Sequence, residues 1–428
     1  MKCNILVIVS LLFCLFLSCE NEGTHEPWVT DLLMEYVVTP INGGAEIEFT
    51  LPKDPDIWYV MAEYERNGKI FTEKSSVYKN KLTIEGFHNV DNVKVLLYKV
   101  NRKEQKSEPV EVEFQPLESL VNISARSLKA MSGFGGFLVS WDNPKCTELG
   151  IRLLVPDAQN VNQWVTREML FSTSQKEKHS FRGFDAEETT FGIVLEDKWG
   201  NISDTIFHTL TPLFEVLIPK PYGDYRAFIP YDNITTLGGN FPFSNLYDNI
   251  VNSAAHGWLT QIGSSGLSIT FDMKQVVKLS RMIIHGYHIN DPYDQVNISH
   301  FEAWGVDKID MSKLSVPYYW LDEYSLRNGA IHGLSPAMAL PERTFKDDWQ
   351  YLGSHAITRY DLMTPPDLDG IARISQHGTE YHIPIEAKPV RYVRIFVRGV
   401  CGIVPPPSDN YFSMGEITFY GDNRVPQE

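Results

Sequence analysis

Three stretches in the second half of the chain set flat aromatic rings beside short polar side chains. "GYHINDPYDQ" holds Tyr287, His288, Asn290, Asp291 and Tyr293. "VPYYWLDEYSLRNG" holds Tyr318, Tyr319, Trp320, Tyr324 and Arg327, and "VCGIVPPPSDNYF" holds Asn410, Tyr411 and Phe412. Rings of this kind stack on the C–H face of a pyranose, while a few fixed polar groups take its hydroxyls. The candidate ligand contacts are therefore Tyr287, His288, Asn290, Tyr293, Tyr319, Trp320, Arg327 and Tyr411. The middle stretch sits in an insertion from about Asp307 to Asp347, longer than an ordinary loop. It reads either as a binding platform or as a lid packing its aromatics onto the domain beneath.

Other chemistries find less support. His285 and His288 ("HGYH") lie in or next to a strand, three residues apart, which places them on opposite faces and argues against joint zinc ligation. The chain has no Walker-type loop, no GxSxG and no HExxH. Carboxylates are plentiful, but no pair is marked as acid and base by its setting. The net charge of −16, with no Lys/Arg stripe, excludes nucleic acid as an expected partner.

The elements that must position these residues read as strands. "GGAEIEFTLPK" from Gly43 and "GGFLVSWDNPK" from Gly135 are copies of one pattern. Each is a glycine turn, apolar residues at every second position and a proline stop, the signature of a half-buried strand. Asn67-Gly68 predicts a hairpin after "WYVMAEYER". After the Pro-punctuated link "TPLFEVLIPKPYGDY" the alternation returns in "LSITFDM", "VKLSRMIIHGY", "RYVRIFVRG" and "GEITFYG". No amphipathic helix longer than two or three turns stands out.

The N-terminus resembles a bacterial lipoprotein signal: Lys2, an apolar run Ile5 to Leu17, then "FLSC". The resemblance implies cleavage after Ser18, residues 19–23 as a tether and lipid on Cys19. Phe16 departs from the smaller aliphatic residue usual there. Glu20 and Glu22 resemble the surface-export signal of glycan-foraging Gram-negative bacteria, which implies an outer-membrane protein facing outward. In such a protein the N-x-S/T triplets at Asn122, Asn201, Asn233 and Asn297 carry little meaning. Cys146 and Cys401 read as two small buried side chains without a disulfide.

"LVSWDNP" and "LEDKWGNIS" look like strand regions of fibronectin type III domains, giving two such domains at residues 24–115 and 116–212. "SNLYDNIVNSAAHGWLTQIGSSGLSITFDMKQVVKLSRMIIHGY", "VRYVRIFVRG" and "MGEITFYG" resemble a discoidin domain, the coagulation factor five/eight C-terminal type, at residues 213–428. The fold class implied is all-β: two fibronectin-like sandwiches followed by a galactose-binding-like jelly roll. The discoidin resemblance also implies a structural Ca²⁺ at the quoted loop. Asp248, Asn252 and Glu416 would be its ligands, although Asn249 stands where that family usually has Gly. The other reading has Asp248 capping the loop backbone and Glu416 solvated on its strand, with Trp258 in the core. The arrangement resembles accessory lipoproteins beside glycan-uptake machinery, which implies non-catalytic capture of an oligo- or polysaccharide. The alternatives are a structural subunit that binds outer-membrane transporter components, and a glycan-active enzyme.

Overall fold

The computed structural model describes residues 35–160, 162–224, 228–230, 232, 239–251, 256–260, 268–288, 291–294, 296–323, 339–402 and 412–425. Cys19, Asn252, Asn290, Arg327 and Tyr411 lie outside the described residues. Among the described residues, no helix is long and apolar enough to cross a membrane.

The chain folds around separate apolar cores built mainly from strands. The first pairs a three-stranded sheet (Glu35–Ile41, Gly44–Thr50, Lys81–Glu85) with a four-stranded one (Lys69–Ser76, Ile57–Arg66, Val93–Asn101, Val110–Phe114). The second repeats this layout strand for strand. Its sheets are Lys176–Arg182, Gly136–Asp142 and Lys129–Gly133, and Trp164–Ser172, Leu149–Pro156, Thr189–Asp197 and Ile206–Leu210. Both are fibronectin-like sandwiches, and the alternating residues of each strand pair fill the space between the sheets.

The sequence repeat has a steric cause. Gly43 and Gly135 turn with φ of 66° and 62°, the left-handed region that glycine enters freely. The next glycines, Gly44 and Gly136, pass so close to the facing strand that a Cβ would lie 1.9 Å from the Ile84 carbonyl oxygen and 1.8 Å from that of Phe181. The exits repeat too. Gly43 N–H donates to Leu117 O at 2.9 Å and Leu117 N–H to Ile41 O at 3.0 Å. Gly135 N–H donates to Leu213 O at 2.7 Å, and Leu213 N–H to Gly133 O at 2.8 Å. Each outgoing linker is thus pinned to the first hairpin of the domain it leaves. At Asn67-Gly68 both residues have positive φ (51° and 74°), the hairpin turn the dipeptide predicts.

The third unit is a sandwich organised by one 18-residue strand, Ser268–His285. Its first half pairs with Val390–Val400, and after a register break between Asp272 and Val277 its second half pairs with Glu416–Asp422 and Thr379–His382. One strand thereby serves both sheets. Trp258 is fully buried, edge-on to Phe243 at 5.0 Å and Phe412 at 5.6 Å, as expected of a core residue. Arg182, Glu215, Arg281 and Glu380 clasp this unit to the second sandwich: Glu215 meets Arg182 at 3.2 Å and Arg281 at 2.9 Å, and Glu380 meets the same two at 3.1 and 2.7 Å.

The described parts of the insertion, 307–323 and 339–347, form a lid over the outer face of the sheet. Tyr319, Trp320, Phe345 and Trp349 pack with Tyr392 and Phe396 into a second core in this unit. Beneath them lies Arg394, with no exposed surface, 2.9 Å from an equally buried Asp232. Its guanidinium faces the rings of Trp320, Phe345 and Phe396 at 5.0 to 5.2 Å. Asp322 and Lys346 of the lid join Glu302 and Arg398 of the sheet in a further ionic cluster.

Short helices join the strands, among them Leu120–Arg126 and Leu368–His377, both within the two or three turns expected; the second is capped by the Asp367 carboxylate on Gly370 N–H at 2.9 Å. One expectation needs correction. Cys146 is exposed, because it sits at the tip of a turn with φ 52° that the Asn143 side chain holds through Thr147; Cys401 is buried as expected.

Candidate functional site

At one end of the third unit, residues of two loops meet on Asn297, which is 3% exposed. Its Oδ1 accepts from Tyr287 N–H at 3.0 Å and from Ser413 Oγ at 2.8 Å; its Nδ2 donates to Pro292 O at 3.2 Å. Its backbone carbonyl accepts from Cys401 N–H at 2.9 Å. A buried side-chain amide satisfied on both ends fixes the segments it bridges, since breaking any one bond strands a polar group away from water. Asn297 thereby holds the 286–294 loop against the two ends of the 400–413 segment.

On this support stand Tyr287, His288 and Tyr293, all partly buried. Tyr287 packs edge-on against Phe241, at 6.4 Å between ring centroids, and against His288 at 6.2 Å. The Tyr293 hydroxyl donates to Thr358 O at 2.8 Å and accepts from Tyr360 N–H at 3.0 Å. Arg359 lies 4.9 Å over the Tyr293 ring and forks onto Asp361 at 2.8 and 2.6 Å. Tyr360 in turn accepts from Arg373 at 2.7 Å. The result is a fixed patch of two tyrosines, a guanidinium and a carboxylate around Tyr293, next to the Tyr287–His288 pair.

Sequence reasoning placed Tyr287, His288 and Tyr293 here and missed their neighbours. Arg359, Tyr360 and Asp361 come from a stretch some 65 residues later, with no motif of its own. The signal for Asn297 is slight, an Asn just before a strand. Tyr319 and Trp320 stand apart from this patch and are 3% and 1% exposed. The Tyr319 hydroxyl donates to Asp348 at 2.9 Å and Trp320 Nε1 to Lys313 O at 2.9 Å, so both rings are spent on the lid's core. The described parts of the insertion take the lid form of the two expected, because apolar rings over the sheet gain more from burial than from solvent.

The described residues of the loop expected to hold calcium find other partners. Asp248 Oδ1 accepts from Ile250 N–H at 3.0 Å, and its Oδ2 faces His256 Nε2 at 2.9 Å, so the carboxylate caps its own loop. Glu416 is 1% exposed rather than solvated, and the Lys220 ammonium donates to it. Ca²⁺ asks for six to eight oxygens. Here the described donors present one carboxylate already neutralised by an ammonium and another turned to backbone and imidazole. They do not fit a calcium ion. Among the described residues, no group of three or more His, Cys, Asp or Glu converges elsewhere on a metal-sized space, His285 and His288 included.

Two histidines of this unit are held neutral. Burial takes His285 down to about 4, with Lys220 and His377 adding to the effect, and burial also takes His355 down to about 4 beside the Phe301 and Tyr381 rings. Both are depressed from 6.5, so between those limits the unfolded chain binds more protons than the folded one. Stability is complete above about pH 6.5 and is lost as pH falls towards 4. The pair contributes on the order of 2–3 kcal/mol to that slope, after allowance for their partial access to solvent. Urea unfolding across this range is expected to show the slope in the parent chain, and a flatter profile in His285→Gln/His355→Gln.

Family models match three consecutive segments, each described as a domain of unknown function: DUF4959 over residues 31–116, DUF5126 over 117–221 and DUF5000 over 247–421. No curated protein matches the chain. Among solved structures, the chain is similar to a SusE-like protein at 17% identity and TM-score 0.33, over 71% of this chain and 99% of that one. It is also similar to CBM32-3 of a family 31 glycoside hydrolase from Clostridium perfringens, at 12% identity and TM-score 0.26, over 47% and 95%. A two-domain fibronectin type III segment of chicken tenascin follows, at 13% identity and TM-score 0.22, over 42% and 99%.

Proposed function

We propose that this chain is a lipid-anchored outer-membrane protein whose C-terminal unit captures carbohydrate without catalysis, in a glycan-uptake system. The observation that carries the reading is the patch around Tyr293, where an aromatic ring, a guanidinium and a carboxylate are fixed before any ligand arrives. A preorganised ring loses little freedom on stacking against a sugar, and the Arg359–Asp361 fork offers both donor and acceptor to vicinal hydroxyls. The two sandwiches below, with linkers pinned at each exit, carry the patch away from the tether at Cys19.

Support for a non-catalytic role comes from the charges. Asp232, Asp272, Glu302, Asp322, Asp361, Glu380 and Glu416 each face a Lys or Arg. Carboxylates neutralised in this way stabilise a fold and are poorly set to act as an acid and nucleophile pair. Tyr293→Ala is expected to lower the affinity for the recognised glycan about tenfold or more in calorimetric titration. Unchanged affinity would move the site away from this patch.

A specific feature favours the second reading, a protein-interaction subunit. On the second sandwich Phe171 and Phe207 are 66% and 52% exposed, with Trp164 4.8 Å from Phe207. Phe171 lies over Gly150 and Phe207 over Gly192, an apolar face on the outside of the sheet. Phe171→Glu separates the two readings: glycan capture by the third unit is insensitive to it.

A further inference from the structure

We infer that the cation that ties Asn249 to Glu416 on the closing strand is the chain's own Lys220 ammonium, so that this unit folds without a bound divalent ion. Lys220 sits on the segment that enters the third unit, and its side chain is 8% exposed; that of Glu416, on the closing strand, is 1% exposed. The Lys220 ammonium donates to Glu416 Oε1 and, at 3.1 Å, to Asn249 Oδ1. Asn249 completes the ring by directing its backbone N–H at both Glu416 oxygens, each at 3.3 Å. Three stretches far apart in sequence therefore meet on one point charge.

The loop's departures from the calcium-binding pattern follow from this arrangement. Asn249 has φ 68°, a conformation that Asn tolerates and that glycine would adopt more easily. Glycine, however, would lack the side-chain oxygen that receives the ammonium. Asp248, the other expected ligand, is free to cap the loop because the charge it would have balanced is already paired. A divalent ion coordinated by Glu416 would have to displace the ammonium or sit beside it, and like charges at that separation in a buried setting repel strongly. An ammonium has the compact charge and the three donors to replace such an ion as a staple, with no demand for six oxygens.

The test is thermal unfolding of the full mature chain, with chelator and with millimolar Ca²⁺, for the parent and for Lys220→Met. The parent midpoint is expected to be the same in both solutions. Lys220→Met leaves Glu416 buried without its partner, and the transition of the third unit is expected to fall by roughly 6–15 °C. Calorimetric titration of the parent with Ca²⁺ decides the matter even if the variant does not fold. Heat corresponding to one bound ion, abolished by Glu416→Gln, or a parent midpoint that drops in chelator, overturns the inference. Absence of both sustains it.

Discussion

Asp232→Ala is expected to destabilise the third unit by about 3–5 kcal/mol, the cost of leaving one member of a buried ion pair alone. Neither Asp232 nor Arg394 has exposed surface, and they lie 2.9 Å apart. Burial pushes the Asp232 carboxyl up and the Arg394 guanidinium down, each against the pull of its partner. For each member the desolvation outweighs the attraction of its partner. Ser268 donates to Asp232 at 2.6 Å, and Arg394 donates to Thr270 and to the Trp320 carbonyl at 3.1 and 3.2 Å. The guanidinium is therefore the point where Thr270 of the strand, Trp320 of the lid and Asp232 meet. Asp232→Leu/Arg394→Met is expected to recover much of the loss, since apolar side chains of similar volume carry no desolvation cost. Urea unfolding followed by tryptophan fluorescence reads both variants. A double variant no better than Asp232→Ala alone would show that the pair contributes more than it costs.

Gly44→Ala and Gly136→Ala are each expected to cost at least the upper end of the ~1–3 kcal/mol typical of overpacking, because the added carbon meets backbone and not a movable side chain. The obstructing atoms are the Ile84 and Phe181 carbonyl oxygens, on the strands that pair with Gly44–Thr50 and Gly136–Asp142. Relief requires the two strands of the three-stranded sheet to part. Gly68→Ala is the control: a Cβ there meets nothing within 4 Å, and only the left-handed turn resists it, at about 1 kcal/mol. Hydrogen exchange resolved by segment should show lost protection confined to the sandwich that carries the substitution. Equal loss in both sandwiches would mean that the pinned linkers fuse them into one folding unit.

The architecture was legible because its signals are local. Glycine turns, alternation and proline stops mark the repeat, and the steric reason for the second glycine of each copy appears only when the facing strand is in place. The aromatic stretches were legible as chemistry but not as geometry. "PYYW" and "PYDQ" look alike in sequence, yet Trp320 is buried over Arg394 while Tyr293 stands partly exposed at the end of the sandwich. The difference lies in what the sheet offers beneath, an apolar face with a buried cation in one case and the Asn297 hub in the other. Neither is a property of the neighbouring sequence. Lys220 escaped notice for the same reason: its partners are 29 and 196 residues away, and a lone lysine in a proline-rich link carries no pattern. The helix Leu368–His377 is short and follows two prolines, so its period had little length in which to show.

The central claim, carbohydrate capture at the Tyr293 end of the third unit, is tested most directly by a glycan array probed with the mature chain, without its lipid, in the presence and absence of chelator. Binding to a defined set of glycans is expected to be equal in both conditions, lost in Tyr293→Ala and retained in Phe171→Glu. A folded chain that binds no glycan on the array, or whose binding survives Tyr293→Ala and fails in Phe171→Glu, would contradict it and shift the reading to the exposed aromatic face of the second sandwich.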